Sequence, residues 1–67
     1  MIVFTCWSGR KIITISCDNR KEALKMIHSN CFKKYDNVVV NNNGEKFNLN
    51  SKRGQNFFGI KKLGYGQ

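Results

Sequence analysis

The chain has 67 residues, with 12 Lys and Arg against four Asp and Glu, a formal net charge of +8. One small domain fits in that length, whereas two domains or a deep substrate cavity do not. The sequence is 40% hydrophobic with five Phe, which argues for a folded core and against a chain too polar to collapse.

The first element is a β-hairpin. Ile2 to Trp7 and Arg10 to Cys17 are rich in β-branched and aromatic residues and flank Ser8-Gly9, a two-residue loop. With that loop, Trp7 faces Arg10, Cys6 faces Lys11 and Phe4 faces Ile13. One face then collects Ile2, Phe4, Cys6, Ile13 and Ile15, the core candidate. The other collects Val3, Thr5, Trp7, Arg10, Ile12 and Thr14. This apolar N-terminal stretch falls short of the ~20 residues of a membrane span. It lacks the basic lead and small-residue cleavage site of a secretory leader.

A helix follows, from Arg20 to about Asn30. Asn19 with Glu22 three residues later resembles a capping box. Ala23, Leu24, Ile27 and Cys31 form one apolar stripe with Met26 on its flank, and Lys21, Lys25 and His28 lie opposite. About three turns are too few to stand alone, so the stripe must dock on a sheet.

The second hairpin carries the stronger turn signal. Asn43-Gly44 is the preferred type I′ pair, and it sets Val40 opposite Phe47, Val39 opposite Asn48 and Val38 opposite Leu49. Val38, Val40, Phe47 and Leu49 then share one apolar face, while Asn41, Lys46, Asn48 and Asn50 point away. A slip of one residue would bury Asn48. The fold class is therefore α+β. It is a single ββαββ domain over residues 1–50, a four-stranded mainly antiparallel sheet with one helix packed on one face.

Residues 51–67 read as a basic Gly/aromatic tail, partly docked or flexible. It holds four of the six Gly, four bases (Lys52, Arg53, Lys61, Lys62) and no acid. Phe57, Phe58, Ile60, Leu63 and Tyr65 interrupt it, and a fifth strand or docked turn is expected near Asn56 to Lys62. The first 50 residues carry eight bases and four acids, so half of the excess charge sits in the last 17. No internal sequence repeat is visible.

The constellations point to binding rather than to a reaction. Lys21, Lys25, Lys33, Lys34, Lys52, Arg53, Lys61 and Lys62 form clusters of the kind that contact phosphates and release counterions. Trp7 beside Arg10, with Phe57 or Phe58 from the tail, would supply stacking on an otherwise open sheet face. The leading expectation is a non-enzymatic nucleic-acid-binding protein that favours RNA or single strands with little sequence specificity. The alternative is a small inhibitor or adaptor, of the type phages encode, that docks on an acidic host protein. Cys6, Cys17, His28 and Cys31 are zinc-type ligands without a knuckle spacing, and they read as structural. One His and four carboxylates form no catalytic arrangement, and no phosphate loop or cofactor motif occurs. No membrane role is expected, because the apolar side of the helix is needed by the sheet. Three cysteines at irregular spacing suit a reduced, cytoplasmic setting. A homodimer through an edge strand is compatible with so small a sheet.

Overall fold

The computed structural model describes residues 1–29 and 31–60. The elements are β1 (Ile2–Ser8), β2 (Lys11–Cys17), α1 (Arg20–His28), β3 (Asn37–Asn42), β4 (Glu45–Asn48) and α2 (Lys52–Phe58). The strands form one antiparallel sheet in the order β2-β1-β3-β4. Both helices pack on the same face, α1 against β2 and α2 against β4. Among the described residues no element covers the other face.

The expected α+β sheet is present, but the described residues form two helices instead of one. α2 takes in Asn56 to Phe58, the start of the segment where a fifth strand or docked turn is expected, and Lys61 and Lys62 at its end lie outside the described residues. The sequence of α2, KRGQNFF, has no helical stripe of its own, so local signals and docking must hold it. The Ser51 side chain accepts from the Gly54 amide at 3.1 Å. Gly59, at φ 67°, closes the helix in the left-handed region. Phe58 then inserts into the core at 2% exposure.

Seen as topology, the molecule is two ββα units. Each is a hairpin followed by a capped helix, and the first strands of the two units, β1 and β3, pair antiparallel at the centre. The repeat lies in the architecture, not in the residues. The seam runs from Ile2 opposite Asn42 to Trp7 opposite Asn37.

Local chemistry explains each turn. In the second hairpin Asn43 (φ 53°) and Gly44 (φ 97°) both take the positive φ that a type I′ loop requires. The register is the expected one, with Val40 opposite Phe47 and Val39 opposite Asn48. The first hairpin differs from expectation. Its loop is Gly9-Arg10, with Ser8 opposite Lys11 and Trp7 opposite Ile12. Gly9 carries the positive φ (61°) at the first loop position, where a glycine-first turn needs it. Each partner moves by two residues relative to a Ser8-Gly9 loop, so the faces are unchanged. Arg10, however, leaves the strand and no longer opposes Trp7. The Asp36 carboxylate ties the turn down, accepting from the Gly9 amide at 2.8 Å.

The core gathers Ile2, Phe4, Cys6, Cys17, Ala23, Phe32, Tyr35, Val38, Val40, Phe47, Leu49 and Phe58. Phe4 is its centre, 4.6 Å from the Phe32 ring and 6.1 Å from the Phe58 ring. Asn19 caps α1 as expected, accepting from the Glu22 amide at 3.0 Å. The Arg20 Nε donates to the Phe57 carbonyl at 2.9 Å and so joins the two helices. Among the described residues no helix is long and apolar enough to cross a membrane.

Candidate nucleic-acid interface

The open face follows from the pairing. Side chains alternate along each strand, so residues opposite one another across the ladders share a face. Three rows result. Ile12, Trp7 and Asn37 form the first. Thr14, Thr5, Val39 and Asn48 form the second. Ser16, Val3, Asn41 and Lys46 form the third. None of these residues is acidic. Ile12 is 60% exposed, Thr14, Ser16 and Lys46 are exposed, and Trp7, Val3, Thr5, Val39 and the three Asn are half-buried.

The amides on this face are held in place. Asn48 Nδ2 donates to Asn37 Oδ1 at 2.6 Å, and Asn48 Oδ1 accepts from the Asn50 amide at 3.0 Å. Asn41 Oδ1 accepts from the Gly44 amide at 2.8 Å. At the Trp7 end, the Trp7 carbonyl accepts from the Asp36 amide at 2.7 Å. Trp7 therefore sits on fixed backbone beside an exposed Ile and a pinned amide. Such a surface places one half-buried indole among amides that the fold already holds in position, so few flexible groups need ordering there.

The expected site residues do not converge. Trp7 is on the open face and Arg10 is in the adjoining turn. Phe57 and Phe58 are in the helix layer behind the sheet, so they cannot join Trp7 in a stacking surface. Phe58 is buried, and Phe57 packs 5.4 Å from the Phe47 ring and 4.8 Å edge-on to Phe58. They lie there because α2 folds under β4, where their rings complete the core. Lys21 and Lys25 are exposed on α1, with Lys25 3.9 Å from Glu22. Lys33 and Lys34 lie in the turn after α1, Lys34 Nζ being 5.4 Å from the Tyr35 ring centre. Lys52 and Arg53 open α2. Arg53 is committed to Glu45 and lies 5.9 Å over the Phe47 ring. Lys61 and Lys62 lie outside the described residues, as do Leu63 and Tyr65. Lys46, with its Asn neighbours, is the part of the face that turn and strand alternation reveal most directly.

The cysteines are structural in their surroundings. Cys6 and Cys17 are buried, Cys31 is half-buried, and all three are free thiols. His28 is exposed on α1. Among the described residues no three His, Cys, Asp or Glu side chains are grouped to hold a metal ion. Burial, with a smaller contribution from Cys31, pushes the Cys6 thiol up to about 11. Burial, then Glu22, Cys31 and Asp18, also raises Cys17.

These shifts fix a pH dependence. The unfolded Cys6 thiol ionises near its ordinary value of 9.0, whereas the folded one holds its proton to about 11. The unfolded state therefore binds fewer protons in that window, and stability falls as pH rises through it. The loss approaches about 1.4 kcal/mol per pH unit per thiol. The urea midpoint is expected to drop between about pH 8.5 and about pH 10.5, with a shallower drop in Cys6→Ala. Parallel profiles for the two proteins would show that Cys6 does not carry the effect.

No protein-family model, no curated protein and no solved structure matches this chain.

Proposed function

We propose that this is a small non-enzymatic protein that binds RNA or other single-stranded nucleic acid across the open sheet face, with little sequence specificity. The observation that carries the reading is the acid-free face itself, with Trp7 beside the amides of Asn37, Asn41 and Asn48 on a chain of net charge +8. Trp7 would stack on a base and the amides would meet base edges. Arg10 in the turn and Lys46 at the far corner would reach phosphates on either side. A flat sheet suits single strands better than a duplex groove, into which no element of the described residues projects. The three free thiols suit work in the reducing cytoplasm.

Trp7 is the only Trp in the chain, so its fluorescence reports on this face alone. Titration with a single-stranded homopolymer at low salt should quench it. The affinity should fall with salt at a log–log slope of about −0.7 per phosphate contacted. Trp7→Ala should weaken binding by roughly 5- to 150-fold, the value of one stacked base. Absence of both quenching and filter retention at low salt would rule the reading out.

One observation favours a second reading. Lys21 and Lys25 lie on α1 and Lys52 on α2, behind the sheet from Trp7, and Lys33 and Lys34 lie in the turn that follows α1. That distribution also suits docking of the helical side on an acidic protein. Reversing Lys33 and Lys34 to Glu while leaving Trp7 intact separates the two. Retained nucleic-acid binding with loss of a protein partner would favour the second.

A further inference from the structure

The two edges of the sheet are not alike. β4 is a short edge of four residues with Glu45 and Lys46 on it. β2 is seven residues long, reads KIITISC, and carries its only charge, Lys11, at one end. It contains no proline, and its pairing to β1 runs from Ser8–Lys11 to Ile2–Cys17 without a bulge. The usual protections of an edge strand are missing from it.

β2 also overhangs the helix layer. Ile13 points to the helix side, yet it is 41% exposed. Counted from the two turns, it holds the position that Phe47 holds in β4, and Phe47 is buried by α2. Ile12, on the opposite side of the same strand, is 60% exposed. Among the described residues these two and Met1 are the exposed large hydrophobics.

The backbone groups of β2 that have no strand partner among the described residues are set by the turn. In a two-residue hairpin the residues flanking the loop, Ser8 and Lys11, exchange hydrogen bonds. Alternation then turns Lys11, Ile13, Ile15 and Cys17 towards β1. The N–H and C=O of Ile12, Thr14 and Ser16 point outwards.

We infer that β2 pairs antiparallel with β2 of a second copy about a two-fold axis at Thr14, joining two sheets into one of eight strands. This register is chosen by three independent features. It sets Thr14 opposite Thr14 and Ile12 opposite Ser16 of the second copy, so every outward-pointing backbone group of β2 finds a partner. It places the exposed Ile13 opposite the half-buried Ile15 of the second copy in the closer, non-hydrogen-bonded pairs, so four Ile form one apolar strip beside the helix layer. It brings the Arg10–Lys11 end of each copy against the Cys17–Asp18 end of the other, cation against carboxylate. A register shifted by two residues in either direction leaves outward groups unpaired and takes Arg10 away from Asp18. A two-fold contact of this kind is self-complementary and closed, so it stops at two copies. The open faces become continuous, with the two Trp7 side chains about 20 Å apart by strand spacing and rise.

Sedimentation equilibrium tests the inference. The wild-type protein should move from 7.7 kDa towards twice that mass as concentration rises. Thr14→Lys puts two like charges directly opposite at an exposed site, and should return the mass to that of one chain while the circular dichroism spectrum is kept. A monomer at concentrations up to about 1 mM would overturn the inference. So would a wild-type dimer that Thr14→Lys leaves intact. Thr14→Cys decides independently of how well the Lys variant folds. In this register the two Cα atoms lie about 5.5 Å apart, within disulfide range. Mild oxidation should therefore give a covalent dimer with Thr14→Cys and not with Ile12→Cys. Equal cross-linking of the two, or none with Thr14→Cys, would also overturn it.

Discussion

Gly54→Ala is expected to lower the melting temperature by about 8–16 °C, a loss of about 2 kcal/mol. A Cβ at position 54 would lie less than 3.0 Å from the carbonyl oxygens of Leu49 and Asn48. Both are backbone atoms at the end of β4, so no side chain can swing aside. Accommodation requires α2 to lift from the sheet, and Phe58 would be drawn out with it. In an unconstrained helix the same change is stabilising by roughly 0.5–1 kcal/mol, which makes the sign itself diagnostic. Gly59→Asn is the matched control. It tolerates the left-handed φ, and among the described residues only the end of Arg20 lies nearby, at 3.7 Å. Thermal melts that show Gly54→Ala at or above wild type would mean that α2 is not held against Leu49.

Phe58→Ala is expected to cost about 3–5 kcal/mol. A domain of this size has a total stability on the order of 3–10 kcal/mol. The variant should therefore be substantially unfolded at 37 °C, visible as loss of cooperative urea unfolding. The cost is high because Phe58 packs against both Phe4 and Phe57, so its removal opens a void at the centre of the core. Phe57→Ala, at a half-buried site, should be milder. A Phe58→Ala protein with a near-native urea midpoint would exclude Phe58 from the core. The same experiment clarifies function. Under the proposed function, loss of nucleic-acid binding in Phe58→Ala would follow from unfolding, whereas loss in Trp7→Ala on an intact fold would follow from the surface.

Much of the sheet was legible because its signals are local. Asn43-Gly44 fixed the second hairpin and its register, since two positive φ values in succession leave few other residue pairs. The faces of the first hairpin were legible from alternation, although its loop was displaced by one residue. Gly9 serves as the first loop residue rather than the second, and the displacement moved Arg10 from the strand into the turn. α2 was hidden. Seven residues with a central glycine carry no periodicity, and the glycines and bases there look like those of a flexible basic segment. A readable signal did exist, namely a Ser cap at 51 and a left-handed Gly at 59 bracketing two turns. The candidate site was half legible. Trp7 and the Asn residues could be placed on one face, but the split between that face and most of the lysines depends on both helices choosing the same side of the sheet.

The two-unit topology has a consequence for how the chain reaches this structure. Each ββα unit closes through neighbours in sequence, its hairpin ends no more than 15 residues apart in β1–β2 and nine in β3–β4. The β1–β3 seam alone within the sheet joins residues 30 to 40 positions apart. Loop-closure entropy within the sheet is thus concentrated in the β1–β3 pairing. Until residue 42 is in place, β1 presents an unpaired edge bearing Phe4 and Cys6, and the nascent first unit is the stage at which the chain is most prone to pair wrongly.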